Sequence, residues 1–439
     1  MADRSAAAIT ALEAALARTP KEVAPYEHAL LAHRLGVAYA ESGGRPAERL
    51  HQALAHLDRA ASLLDARFHP VEHARVLTAA GSVRRAMGSP RVALDLFERA
   101  RGMAEARVGR DEAAAMANNV GLALLDVGQC NTAVERFDEA IGTFRTDTPD
   151  GRRGRASALH NRGLARAASG RVDALEAAIA DYDAALAEVT LDEAPLHHGL
   201  ACHSPGVAAA ALAVAPGEDG SWRSLAIESF TAALDVFTWP EHPVQHAIAS
   251  FNLGRAWSRT DVTEERRRAL LCFEDAVTAF DPRHQAPAWR EAFDALGVVE
   301  AELAEQAPGW TRADHLIALL DSDPAQASSV VRSRLARWLP LPERARSAAL
   351  NAFADAALRH GPVQGAAALV ELLTAAMELP TAAQEAVLDA LIAVRTAAVE
   401  DDRRAEIDAI VDRMVGDAVV GPQRVFVRDH LVAGGFERP

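Results

Sequence analysis

Between Asn118 and Ala140 the chain reads NNVGLALLDVGQCNTAVERFDEA. Two helical signatures meet in this stretch, divided by a turn at Gly128. In the first, Val120-Gly121 opens an apolar run. In the second, Ala133, Phe137 and Ala140 recur at i, i+4 and i+7, which places them on one face of a helix. A glycine in one helix and a large ring flanked by alanines in the next are what two helices need to approach closely, because the ring fills the groove that the missing side chain leaves.

The same pair of signatures returns along the chain. The glycine signature reads Leu35-Gly36, Ala80-Gly81, Val120-Gly121, Arg162-Gly163, Pro205-Gly206, Leu253-Gly254 and Leu296-Gly297, at spacings of roughly 40 to 48 residues, the range of helix-pair repeats. The second signature follows as Ala53/Leu57/Ala60, Ala93/Phe97/Ala100, Ala133/Phe137/Ala140, Ala178/Tyr182/Ala185, Ala226/Phe230/Ala233 and Ala269/Phe273/Ala276. A further copy, Ala8/Leu12/Ala15 closed by Pro20, opens the sequence. One hairpin cannot bury both of its faces, so each must stack on its neighbours.

Over about residues 5 to 300 the chain resembles the tetratricopeptide repeat (TPR) superfamily, whose consensus carries Leu-Gly in helix A and Ala, Phe, Ala, Pro in helix B. The second and third repeats match without insertion, including the turn glycines Gly88 and Gly128, and the longer loops of the others resemble those of actinobacterial arrays. The resemblance implies an all-α fold: a right-handed TPR α-solenoid of about seven helical hairpins across residues 1–308, then a helical non-TPR region, HEAT-like or capping, across 309–439. Past residue 300 the signature fades. Apolar residues at helical spacing continue over Ala313 to Leu320, Ala325 to Trp338, Glu343 to Arg359, Val363 to Glu378, Ala382 to Val399 and Arg403 to Val415, divided by proline-bearing breaks such as Leu339-Pro340-Leu341-Pro342.

Composition narrows the function. Half the residues are hydrophobic and few are aromatic, as close-packed helices require. The net charge of −15 argues against nucleic acid, since binding a polyanion needs a basic patch. No apolar stretch is long enough for a membrane span, and the first twenty residues read as an amphipathic repeat helix with charges rather than an export signal. Cys130, Cys202 and Cys272 form no CxxC pair, which suits a reducing, cytoplasmic compartment. Lys21, the only lysine, is followed by Glu22, so there is no P-loop. No cofactor signature is present.

The family resemblance places the concave groove on the helix A residues just before each glycine. Taking the third and second positions before it gives His33/Arg34, Thr78/Ala79, Asn118/Asn119, His160/Asn161, His203/Ser204, Phe251/Asn252 and Asp294/Ala295. This row is polar where hairpin packing does not demand it. Side-chain amides at Asn118, Asn119, Asn161 and Asn252 offer donors and acceptors to the backbone of an extended peptide, and Arg34 or Arg255 would pair a carboxylate. His160 and His203, from adjacent repeats, are the candidate acid and base of an enzyme.

The segment Leu196-His197-His198-Gly199-Leu200-Ala201-Cys202-His203-Ser204-Pro205-Gly206 is unusual. Pro205 cannot donate within a helix, so Ser204 as N-cap and Pro205 at the first helical position would restart one after a break. His198 and Cys202 at i, i+4, with His203 and with His197 and His246 as further ligands, form a weak metal pattern. The run also imitates a G-x-S-x-G elbow, but its flanks are helical rather than strand-like. Trp222, Trp239, Trp257, Trp289, Phe293 and Trp310 add rings that a small-ligand pocket would use, with the insertion Ala215 to Ser221 over one end. The expected function is an interaction scaffold that holds a protein or peptide partner in its groove. The alternative is a small-molecule binder or enzyme in repeats 4 to 6, and a DNA-binding regulator is a distant third.

Overall fold

The computed structural model describes residues 2–42, 47–214, 220–239, 241–419 and 422–436, and every regular element among them is helical. The chain divides into two compact units, residues 1–236 and 237–439. The first unit holds α1 (Ala2–Arg18), α2 (Pro25–Glu41), α3 (Ala47–Leu63), α4 (Pro70–Ala86), α5 (Pro90–Ala104), α6 (Arg110–Asp126), α7 (Cys130–Thr143), α8 (Pro149–Ala167), α9 (Val172–Glu188), α10 (Pro195–Leu212) and α11 (Ser221–Val236).

The second unit holds α12 (Pro243–Trp257), α13 (Thr263–Ala279), α14 (Ala286–Gln306), α15 (Arg312–Ser322), α16 (Pro324–Trp338), α17 (Glu343–Arg359), α18 (Gly361–Met377), α19 (Thr381–Ala397), α20 (Asp401–Ala418) and α21 (Pro422–Ala433). Among the described residues no helix is long and apolar enough to cross a membrane. The insertion at 215–219 lies outside the described residues.

Helix pairs α2–α3, α4–α5, α6–α7, α8–α9, α10–α11 and α12–α13 are the hairpins read from the sequence. Proline at the start of α2, α4, α8, α10 and α12 presets the backbone angle where an amide hydrogen would be unused. Gly88, Gly128 and Gly170 close their A helices with φ of 73°, 83° and 66°, a left-handed turn that a side chain disfavours.

Within each hairpin the glycine meets the large residue opposite. A Cβ on Gly121 would lie 2.5 Å from the Phe137 ring, one on Gly163 2.5 Å from Tyr182, one on Gly254 2.8 Å from Phe273 and one on Gly36 2.7 Å from Leu57. The alanines that flank these residues, such as Ala133 and Ala140, are fully buried.

Repeat 4 departs from the consensus and compensates. Arg162 stands where the consensus has Leu. Its guanidinium grips the buried Asp181 of α9 at 2.5 and 3.0 Å, and Arg166 adds a contact at 2.8 Å. The two arginines leave no buried charge unpaired.

Gly297 differs from the other six signature glycines. A Cβ there would meet nothing, so α14 carries the glycine signature without a partner ring. From α15 onward the second unit packs in alternation. One layer runs α15, α17, α19 and α21, the other α16, α18 and α20, with a continuous core from Leu316 to Phe436 between them. The change of hairpin chemistry near residue 308 therefore falls inside the second compact unit.

The break expected at Ser204-Pro205 does not occur. Helix α10 runs unbroken from Pro195 to Leu212 with Pro205 inside it. Ser204, Pro205 and Gly206 are all buried, and α10 packs on both α9 and α11. Burial on two sides outweighs the roughly 3 kcal/mol that proline costs a helix interior.

Candidate functional site

In the first unit the A helices α6, α8 and α10 bring polar groups around a cavity of about 320 Å³. Helix α6 contributes Asn118 and Leu122, α8 contributes Ala156, Ser157, His160 and Asn161, and α10 contributes His197, Leu200 and Ala201. Ala185 and Val189 close the cavity, and Arg85 reaches it from α4. Asn161 Nδ2 donates to Asn118 Oδ1 at 3.0 Å. The bond leaves the Asn118 amide hydrogens and the Asn161 carbonyl oxygen to engage something else. The pair can therefore still offer a donor, on Asn118, and an acceptor, on Asn161, to a ligand.

His160 packs its ring 5.3 Å from Tyr182, and its Nδ1 is buried without a hydrogen-bond partner. Burial, helped by the nearby His197 and His203, holds its pKa down to about 4. His203 lies 5.2 Å from the Phe230 ring of its own hairpin, and burial lowers it to about 4 as well. Both rings are therefore neutral at physiological pH and present π faces and lone pairs rather than charge. Each keeps one ring N–H as a hydrogen-bond donor and one lone-pair nitrogen as an acceptor.

The other expected groove residues are dispersed. His33 is half-buried and its pKa is lowered by burial, then by Arg75 and Arg34. Arg34 is exposed. Asn119 is half-buried but is not among the side chains that line the cavity. Ser204, expected in the groove, is buried in the helix contact instead. In the second unit, Asn252 is half-buried and Arg255 lies 5.8 Å over the Phe251 ring.

The metal pattern does not assemble. Among the described residues no three His, Cys, Asp or Glu side chains converge to hold an ion. Cys202 is buried, and burial pushes its thiol pKa up, away from the thiolate a metal needs. His198 sits half-buried with its Nδ1 unpartnered. His246 is committed elsewhere. Its Nδ1 donates to the Phe237 carbonyl at 2.7 Å, so its Nε2 must be the lone-pair nitrogen that accepts from Arg337 Nη2 at 2.7 Å. That bond is part of a buried network in which Arg334 and Arg337 share Asp275.

Arg85, Ser157 and Leu122 were not singled out by the sequence, and Leu200 was read only as part of the segment around Pro205. Counted from the signature glycine of their own helix they stand at +4, −6, +1 and −6, one helical face that continues the −3 and −2 row. A second cavity of about 340 Å³ repeats this register one step earlier, with Val37 and Ala40 from α2 facing Arg75, Thr78, Ala79 and Ser82 from α4. The row read from sequence was too narrow: the open edge of each A helix is a stripe at i, i+3/4 and i+7.

The contact between each hairpin glycine and the large residue opposite, from Gly36–Leu57 to Gly254–Phe273, and the stacking of A helices along one edge settle the architecture. The fold is a tetratricopeptide-like solenoid of helical hairpins. No protein-family model and no curated protein matches the chain. Among solved structures it is similar to YrrB, described as a TPR protein with an unusual peptide-binding site, at 21% identity over 49% of this chain and 88% of that one, with a TM-score of 0.29. It is similar to the Rap conjugation gene regulator of plasmid pLS20 in complex with the Phr* peptide, at 12% identity over 76% and 88% of the two chains, TM-score 0.40. Aspartyl phosphate phosphatase F from Bacillus subtilis is 12% identical over 64% and 72%, TM-score 0.42.

Proposed function

We propose that this chain is a tetratricopeptide scaffold whose A-helix edge binds an extended segment of a protein or peptide partner. In this reading the hairpins across 1–308 form the binding array and the helices across 309–439 cap it. The observation that carries it is the Asn118–Asn161 pair beside the cavity. One amide supplies the donor and the other the acceptor, matching the carbonyl and amide of a peptide unit that lacks internal hydrogen bonds. A helical ligand satisfies its own backbone and would have little use for such a pair. Three unpaired thiols, Cys130, Cys202 and Cys272, suit a cytosolic setting.

The test is a screen of the full chain against an array of extended peptides, repeated with Asn118→Ala and Asn161→Ala combined. Losing two hydrogen bonds of about 1 kcal/mol each should weaken binding about thirtyfold. The thermal midpoint should hardly move, because both side chains are partly solvent-exposed. Unchanged peptide binding in the double variant sinks the proposal.

A further inference from the structure

The cavity at Asn118 and Asn161 also carries information about what the bound segment must contain. We propose that it is a specificity subsite for one aromatic side chain of that segment, Trp or Phe rather than an aliphatic residue. The inference rests on the scaffold reading and adds to it the identity of the anchor.

Three observations support it. The volume, about 320 Å³, lies at the low end of ligand pockets, so it admits one bulky group and not a large cofactor. Its apolar lining is largely small or short, Ala156, Ala185, Ala201 and Val189 beside Leu122 and Leu200, which leaves room for one flat group. Its polar lining is mostly planar, with the imidazoles of His160 and His197, the guanidinium of Arg85 and the amides of Asn118 and Asn161, Ser157 adding a hydroxyl.

Planar groups stack on a ring face and gain little from a branched aliphatic chain. Arg85 is already paired with Asp126 at 3.3 Å, so it does not call for a carboxylate. His160, held neutral by burial, stacks without stripping water from a charge. The second cavity is an internal contrast. It has similar size but no imidazole or amide in its lining, and its arginine, Arg75, is tied to Glu112 through both oxygens at 2.6 and 2.7 Å.

The probes are fluorescein-labelled Gly/Ser peptides that differ only in a central Trp, Phe, Leu or Asp, titrated against the full chain by anisotropy. The Trp and Phe peptides should bind roughly tenfold tighter than the Leu peptide, the upper range of a stacking contribution. Ser157→Phe, which fills the slot, should erase that difference, whereas Ser82→Phe beside the second cavity should leave it. Leu200→Trp, at an exposed rim position, serves as a second occluding variant if Ser157→Phe melts early.

Equal affinity for Leu and Trp, or a ring preference that survives both occluding variants, overturns the inference. The two readings fail separately. If Asn118→Ala with Asn161→Ala weakens every peptide while Leu and Trp bind alike, the scaffold stands and the aromatic subsite falls. If N-acetyl-tryptophanamide binds as tightly as the Trp peptide and the Asn pair has no effect, the ring pocket stands and the peptide scaffold falls. No binding by any probe overturns both.

Discussion

Replacing Gly121 with alanine adds one methyl group, and its surroundings set the outcome. The new Cβ would sit 2.5, 2.8 and 2.9 Å from Cε1, Cδ1 and Cζ of Phe137, a ring that is fully buried. Ordinary carbon contacts are near 3.5–4.0 Å, so ring and helix must separate by about 1 Å. Phe137 cannot retreat, because Ala93, Val120, Leu124 and Ala133 close around it. Overpacking of this kind costs about 1–3 kcal/mol, offset by about 0.5–1 kcal/mol of helix propensity gained when alanine replaces glycine. A net loss of about 1 kcal/mol is expected.

Gly297→Ala is the control. It carries the same signature, but its Cβ meets nothing, so only the propensity gain of about 0.5–1 kcal/mol remains. Urea unfolding followed by circular dichroism reads both, and Gly121→Ala with Phe137→Leu should recover part of the loss through a coupling between the two sites. The reasoning is refuted if the two glycine variants shift the midpoint in the same direction by the same amount.

Acid should destabilise the fold through its buried histidines. His160, His203 and His246 titrate near 4 in the folded chain against 6.5 when unfolded. Between those values the unfolded state binds more protons, so their stability contribution is complete above about pH 6.5 and is lost as pH falls toward 4. Each accounts for on the order of 3 kcal/mol at full titration. Melting curves from pH 7 to 4.5 check this, and a flat profile contradicts it. Asp181→Ala should cost about 1–3 kcal/mol, because Arg166 would lose its carboxylate and Arg162 would keep only the exposed Asp138. Chemical denaturation of that variant measures the loss, and a loss under about 0.5 kcal/mol would mean the cluster behaves as a surface pair.

The hairpins were legible in the sequence because the contact that makes each one is local. Gly121 and Phe137 belong to consecutive helices, so the missing side chain and the ring that replaces it appear together in one short stretch. The same reasoning misled where a local rule met a non-local constraint. Pro205 predicts a helix break, yet packing on α9 and α11 holds α10 straight through it. Gly297 has the signature and no ring to receive it. The last helix, α21, carries no repeat signature and was not anticipated.

The candidate site belongs to the tertiary structure. Asn118 and Asn161 are 43 residues apart and stand at different positions relative to their glycines, −3 and −2. They meet because successive A helices stack with an offset that turns the trailing edge of one toward the leading edge of the next. His246 and Arg337, 91 residues apart, find each other for a similar reason. Periodicity along one helix records which face is buried, and that much the amino-acid order determines. The angle and shift at which neighbouring helices settle are set by the summed packing of many side chains, so only the folded chain decides which polar residues share a cavity.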